Sequence, residues 1–138
     1  MDNYFHKVQY YETDKMGVVH HSNYIRFMEE ARVDYFKKLG FDYLDFEKKG
    51  VYSPVIALDN IKFKKPSTVG DVIEVIVSVK SYNRLVLIMH YIMKLGEQVI
   101  FEGDSSHCFM NSDNKLIRLS DDCFGDFHRI LLKLLNNN

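Results

Sequence analysis

Little in this chain is extreme, and each thing it lacks removes a class of explanation. Only two cysteines occur, Cys108 and Cys123, far apart and outside any C-x-x-C pattern. One disulfide between them is allowed, but reduced cytoplasmic thiols are the favoured reading. An excess of charge is also missing. The formal net charge of −1 leaves no basic footprint, which argues against nucleic acid as the main partner. The longest purely apolar stretch, Leu85–Met89, is far too short to span a bilayer, so no transmembrane segment is expected. The opening residues MDNYFHKVQYYETD lack the apolar core of a signal peptide, which again favours a cytoplasmic protein. No repeat, linker or low-complexity segment interrupts the sequence, so residues 1–138 are expected to form a single domain. What remains is a composition of 46% hydrophobic and 27% charged residues, that of an ordinary globular domain able to bury a core.

The order of elements follows from periodicity. Phe5–Tyr11 alternates loosely and predicts a strand. A helix is expected from about Asn23 to Leu39, where Tyr24, Phe27, Met28, Ala31, Tyr35 and Leu39 recur at spacings of three and four. Ser22 or Asn23 suits its cap, and Gly40 the position just past its end. Strands follow at Val55–Lys65, Val72–Ser81, Leu85–Lys94 and Val99–Met110, with Lys115–Leu119 as a short closing strand. The turns between them are Ser67–Asp71, Tyr82–Arg84, Leu95–Gln98 and Asn111–Asn114. A second helix begins near Ser120–Asp122, with Phe124, Phe127, Ile130, Leu131 and Leu134 on one face and fraying asparagines at the end. One long helix followed by an antiparallel meander is α+β, and the wide apolar stripe of the helix needs a sheet curled around it.

Chemistry concentrates between Glu12 and Arg32, ETDKMGVVHHSNYIRFMEEAR. A helix start exposes unpaired amides and partial positive charge, and so suits an oxyanion. Asp14 precedes it across a loop in which Gly17 can adopt backbone angles closed to other residues, letting the chain double back. One carboxylate and an oxyanion hole make a sparse kit. It suits a thiol leaving group, whose pKa of roughly 8.5 makes protonation unnecessary. An amide would need a positioned acid, and a phosphate ester a metal. Thioester hydrolysis is therefore compatible with the kit, though the residues alone do not single it out.

The same segment resembles the signature of hotdog-fold thioesterases of the 4-hydroxybenzoyl-CoA thioesterase / YbgC-like acyl-CoA thioesterase family. The matching features are Thr13-Asp14, Gly17-Val18-Val19, His21, Asn23-Tyr24, Glu29 and Ala31-Arg32, with Lys65-Pro66 and Gly70-Asp71 as a second match. His20 stands where such sequences usually carry an aromatic residue such as tyrosine. The resemblance implies a hotdog fold, a curved antiparallel sheet around one long central helix. It also implies dimers joined edge to edge, a possible dimer of dimers, and sites at the dimer interface. By position it makes Asp14 the catalytic nucleophile or general base and the His21 backbone N–H the oxyanion donor. Gly17, Val18, Val19, His20, Asn23 and Tyr24 would surround the substrate carbonyl. Lys64, Lys65, Lys80 and Arg84 are candidates for the phosphates of coenzyme A, which would be part of the substrate and not a separate cofactor. Glu29 is the alternative catalytic carboxylate, because one branch of the family places that group on the helix.

Blander readings stand beside these. Glu29 and Arg32 have the spacing of a helix-surface ion pair. Adjacent His20 and His21 rarely aim both rings at one ion, and His6, His90, His107 and His128 show no ligand spacing, so no metal is expected. Cys108 reads as a small buried hydrophobe. The function expected is acyl-CoA thioesterase. An acyl carrier protein thioesterase, or a hotdog module that binds an acyl-thioester or partner without turnover, are the alternatives.

Overall fold

The computed structural model describes residues 1–136. Its main sheet contains β1 (Tyr4–Lys7), β3 (Val55–Phe63), β4 (Val72–Tyr82), β5 (Val86–Leu95) and β6 (Gln98–Cys108), all antiparallel, in the order β1-β4-β5-β6-β3. The long helix α1 (His21–Lys38) packs into its concave face, which is the α+β hotdog arrangement expected. The contact is apolar on both sides. Tyr24, Phe27, Met28, Ala31 and Phe36 of α1 meet Ile73, Val75, Met89, Tyr91, Met93 and Phe101 of the sheet in one buried cluster. Burying each large side chain contributes about 1.5–3 kcal/mol, so this face supplies most of the driving force for the wrap.

Several elements differ from the sequence expectation. The first strand stops at Lys7, and Tyr10–Glu12 form a short 3₁₀ turn. Glu12 causes the break: its buried carboxylate accepts from the Gln9 N–H at 2.7 Å and pairs with His6 at 2.8 Å, pulling the chain out of the ladder. Helix α1 starts at His21, earlier than expected, because His20 caps it. His20 Nδ1 contacts Ser22 Oγ at 2.8 Å and accepts the Ser22 N–H at 3.3 Å. Strand β3 does not form a hairpin with β4; it crosses to pair with β6 and becomes an edge. Lys115–Leu119 makes no strand. Instead β7 (Met110–Asn111) pairs with β2 (Val51–Tyr52), and Leu116 joins only through an isolated bridge to Met110. A short helix α2 (Tyr43–Lys48) fills the stretch after α1, where no element was expected. The C-terminal helix α3 (Asp121–Asn136) is as expected, but is bent at Phe124, just before Gly125. The fraying expected of Asn137 and Asn138 lies outside the described residues. Cys108 is buried and Cys123 exposed, both unpaired. No helix among the described residues is long and apolar enough to cross a membrane.

Candidate active site

The Asp14 loop doubles back as its glycine suggests. The Asp14 N–H donates to the Val18 carbonyl at 2.8 Å, and the Gly17 N–H donates to the Asp14 carbonyl at 3.0 Å. Gly17 sits at φ +81°, the left-handed region, with no atom within 4 Å of where a Cβ would lie. The turn therefore selects glycine for backbone conformation and not for space. A bridge between Thr13 and Val19 closes its base, and Val18 bridges to Thr68. Three further bonds pin it: Thr68 Oγ1 to the Gly17 carbonyl at 2.7 Å, the Val19 N–H to the Ser67 carbonyl at 2.8 Å, and Asn23 Nδ2 to the Glu12 carbonyl at 2.8 Å. Asn23 thus ties loop to helix and does not cap it. Tyr24 is fixed by Ser67 Oγ at 2.8 Å and by stacking on Phe101.

This scaffold leaves two groups unused. Asp14 Oδ1 accepts the Met16 N–H at 2.8 Å, while Oδ2 makes no hydrogen bond among the described residues. At the helix start, the His20 N–H is spent on the Glu12 carbonyl and the Asn23 N–H on the His20 carbonyl. The His21 N–H, first in the helix, has no acceptor among the described residues. A half-buried carboxylate and a free amide at the positive end of α1 therefore lie on one short stretch of chain. The His21 ring packs on His20 and lies edge-on to Phe63, so this end of α1 sits beside the last residue of β3.

The proposed coenzyme A contacts separate into two pairs. Lys64 and Lys65 follow Phe63, with Lys64 ion-paired to Glu102 at 3.2 Å and Lys65 exposed and free of ion pairs among the described residues. Lys80 is engaged by Asp104 at 2.6 Å, in a cluster with His90 and Asn60 on the sheet face away from α1. Burial works against the Asp104 charge, but the hydrogen bonds from Lys80, His90 and Asn60 outweigh it and hold its pKa below the usual value. Arg84 pairs with Asp121 at 2.6 Å at the far end of β4. That strand has 11 residues, so Arg84 is on the order of 30 Å from the loop side.

A cavity of about 500 Å³ opens at the other end of β3. Val55, Tyr52 and Ser53 line it beside Phe36, Phe41 and Phe109, with Glu29 and Arg32 in its wall. A smaller hollow of about 120 Å³ shares Glu29, Arg32 and Val55 and lies between α1 and β3. Sequence reasoning missed the polar chain that backs this wall. The expected Glu29–Arg32 ion pair is present, at 3.9 Å from Oε1 to Nη2, but Arg32 is buried and does not lie on the helix surface. Its Nε donates to Tyr43 Oη at 3.0 Å and its Nη1 to Tyr91 Oη at 3.1 Å. Tyr91 continues to Ser105 Oγ at 2.7 Å, and Ser105 to His107 Nε2 at 2.7 Å. Burial first, then the Arg32 charge, pushes the His107 pKa down to about 3, so the ring is neutral. Burial would also lower the Arg32 pKa, but Tyr91 and Tyr43 outweigh it and the guanidinium keeps its charge. One signal was available: residues 24, 28, 32 and 36 form a single i+4 ridge, and Arg32 stands inside it.

Known proteins share this family and fold. Residues 8–127 match the family model of the thioesterase-like superfamily. YneP of Bacillus subtilis (strain 168), described as a candidate acyl-CoA thioesterase, is 38% identical over 109 residues, covering 78% of this chain and 78% of that protein. The acyl-CoA thioesterase YbgC of Helicobacter pylori (strain ATCC 700392 / 26695) is 31% identical over 83 residues, covering 60% of this chain and 59% of that one. The crystal structure of a DHNA-CoA thioesterase from Staphylococcus aureus superposes with a TM-score of 0.89 at 36% identity, over 99% of this chain and 93% of that one. With the family model matched over most of its length, the chain belongs to the thioesterase-like superfamily.

Proposed function

We propose that this thioesterase hydrolyses acyl-coenzyme A, with Asp14 as the catalytic carboxylate and the His21 N–H as the oxyanion donor. The observation that carries the reading is the free Asp14 Oδ2 on a loop that feeds directly into a helix start with an unsatisfied amide. With Asp14 as general base, a water oxygen bonds to the thioester carbon while its proton passes to the carboxylate. The carbonyl oxygen takes up negative charge facing the His21 N–H and the α1 dipole. The C–S bond then breaks, and the coenzyme A sulfur leaves as a thiolate needing no dedicated acid. With Asp14 as nucleophile, the carboxylate attacks the thioester carbon and the C–S bond breaks to release the thiolate. Water then cleaves the resulting anhydride to the free acid and the Asp14 carboxylate. The names of the YneP and YbgC relatives support coenzyme A as the thiol carrier. Lys64 and Lys65, at the same end, suit its phosphates. Two unpaired cysteines support a reducing, cytoplasmic location.

The working site lies between two copies of the chain. Within one copy, Asp14 and the cavity sit at opposite ends of β3, a nine-residue strand spanning roughly 25 Å. That strand is a sheet edge with Val55, Ile56, Leu58 and Phe63 exposed, the kind of edge that pairs with another chain. Antiparallel pairing of two β3 strands about their midpoints sets the Phe63 end of one against the Val55 end of the other. The Asp14 loop of each protomer then faces the cavity of its partner, where Glu29 lies. A dimer is thus the smallest complete unit, and a dimer of dimers would add nothing the reaction needs.

The test is thiol release from a panel of acyl-CoAs of graded length plus an aromatic thioester. Wild type should turn over repeatedly, and Asp14→Asn should be slower by about 10²–10⁴, the range for a general base. Equal rates in the two would transfer the role to Glu29, to be checked with Glu29→Gln. Release from acyl carrier protein esters alone would replace the thiol carrier, and release from neither would leave a binding module.

A further inference from the structure

Hydrolysis at Asp14 and His21 makes no use of Arg32, and Arg32 differs from the other buried charges. Buried Glu12 has His6 at 2.8 Å, and buried Asp104 has Lys80 and His90 at 2.6 Å each. Arg32 has only neutral tyrosine hydroxyls within hydrogen-bond range. Its nearest carboxylate, on Glu29, is 3.9 Å away on a side chain 70% exposed. The Tyr91–Ser105–His107 chain behind it contains no carboxylate and so adds no negative charge, and His107 itself is held neutral. A buried cation whose one ion-pair partner is long and solvent-exposed is costly unless something else supplies a closer acceptor. Arg32 also lines both hollows, and with Nε and Nη1 tied to tyrosines its Nη2 edge, which meets Glu29 only at 3.9 Å and outside hydrogen-bond range, is the donor left for a ligand. A guanidinium only donates, so the ligand atom must be an oxygen or similar acceptor.

We propose that Arg32 is a specificity-determining residue: it binds an oxygen carried on the acyl group away from the thioester, and so selects oxygen-bearing acyl groups over plain hydrocarbon ones. The inference rests on the acyl-CoA reading. A phenolic hydroxyl and a terminal carboxylate both supply that oxygen. The rings of Phe36, Phe41, Phe46, Phe109 and Phe127 around the cavity give an aryl group more face and edge contact than a flexible chain would find. The phosphates of coenzyme A do not suit this largely apolar wall.

The test uses matched pairs: 4-hydroxybenzoyl-CoA against benzoyl-CoA, and the mono-CoA ester of adipic acid against hexanoyl-CoA. Wild type should favour the oxygen-bearing member of at least one pair, and the pair that responds identifies the oxygen source. In Arg32→Gln the kcat/KM ratio within that pair should fall by roughly ten- to a hundredfold, the effect of losing a hydrogen bond to a charged group. A general loss of activity cancels in the ratio. Arg32→Lys keeps the charge and should retain part of the preference, which covers the case in which Arg32→Gln does not fold. Uncleavable thioether analogues of the same pairs, titrated by calorimetry, read the preference without turnover. Absence of turnover with every ester would overturn the hydrolase reading while calorimetry still tests Arg32. A wild-type preference for the hydrocarbon members, or an unchanged ratio in both variants, would overturn the role of Arg32.

Discussion

At the Phe63 end of β3 lie a tight loop, a free carboxylate oxygen and a helix amide without an acceptor. At the Val55 end lies a wide aromatic cavity with a buried cation in its wall. The first end carries the groups proposed to polarise and attack a carbonyl, and neither of the two hollows described reaches Asp14 or His21. The second is the proposed acyl-binding hollow, and the carboxylates in its lining are the exposed Glu29 and Glu47. The difference teaches that the proposed reactive and binding halves are placed by different elements, at opposite ends of a strand whose outer edge is unpaired within the chain. In the proposed dimer, symmetry about that edge would join them twice over.

The harshest way to break the comparison is to deny β3 its partner. Replacing Ile56 and Leu58 together by lysine puts two charges on an exposed apolar edge, a device that blocks edge pairing. Light scattering should then report monomer, and thiol release should fall by orders of magnitude. Full activity in a monomeric variant would show that one chain suffices.

A smaller effect is expected within the catalytic end. Gly17→Val places a β-branched residue at φ +81°, where there is room but the backbone is strained. The cost is of order 1–2 kcal/mol, and loop displacement should lower kcat far more than it lowers the melting temperature. Unchanged kcat would mean that the turn does not position Asp14.

The smallest effect sharpens the cavity end. His107 has a folded pKa of about 3, below the usual value of 6.5. Between those limits the unfolded chain binds a proton that the folded chain does not, so stability falls as pH drops through that window. The slope from this one group is at most ~1.4 kcal/mol per pH unit. Urea unfolding of His107→Gln at pH 4 to 7 should show a shallower dependence than wild type, and an equal slope would contradict the buried neutral assignment.

How much of this was legible depended on range. The Asp14 loop was readable because its determinants are neighbours in sequence: a glycine needing a positive φ, a carboxylate before it and a helix after it. Strands β4, β5 and β6 were readable because short turns join strands that pair in order. The cavity was not, since α2, β2 and the β3 crossover are fixed by contacts across the sheet. Val51, for example, pairs with Asn111, sixty residues away. The Glu29–Arg32 pair was readable from its spacing, but the burial of Arg32 was not, because it comes from the ridge formed with residues 24, 28 and 36. Helix α1 began early for a similar reason, since a histidine serves as its cap in place of the expected serine or asparagine.

The most direct test of a site shared between protomers is complementation. Asp14→Asn loses the carboxylate and keeps the cavity, whereas Val33→Trp fills the cavity from a partly exposed helix position and keeps the carboxylate. Each variant alone should be nearly inactive. Refolded together in equal amounts, they should recover about a quarter of the wild-type rate, because random pairing of symmetric dimers rebuilds one complete site in half of them. Recovery at that level places Asp14 of one chain against the cavity of the other. A mixture no more active than its parts, with heterodimers verified, would contradict it.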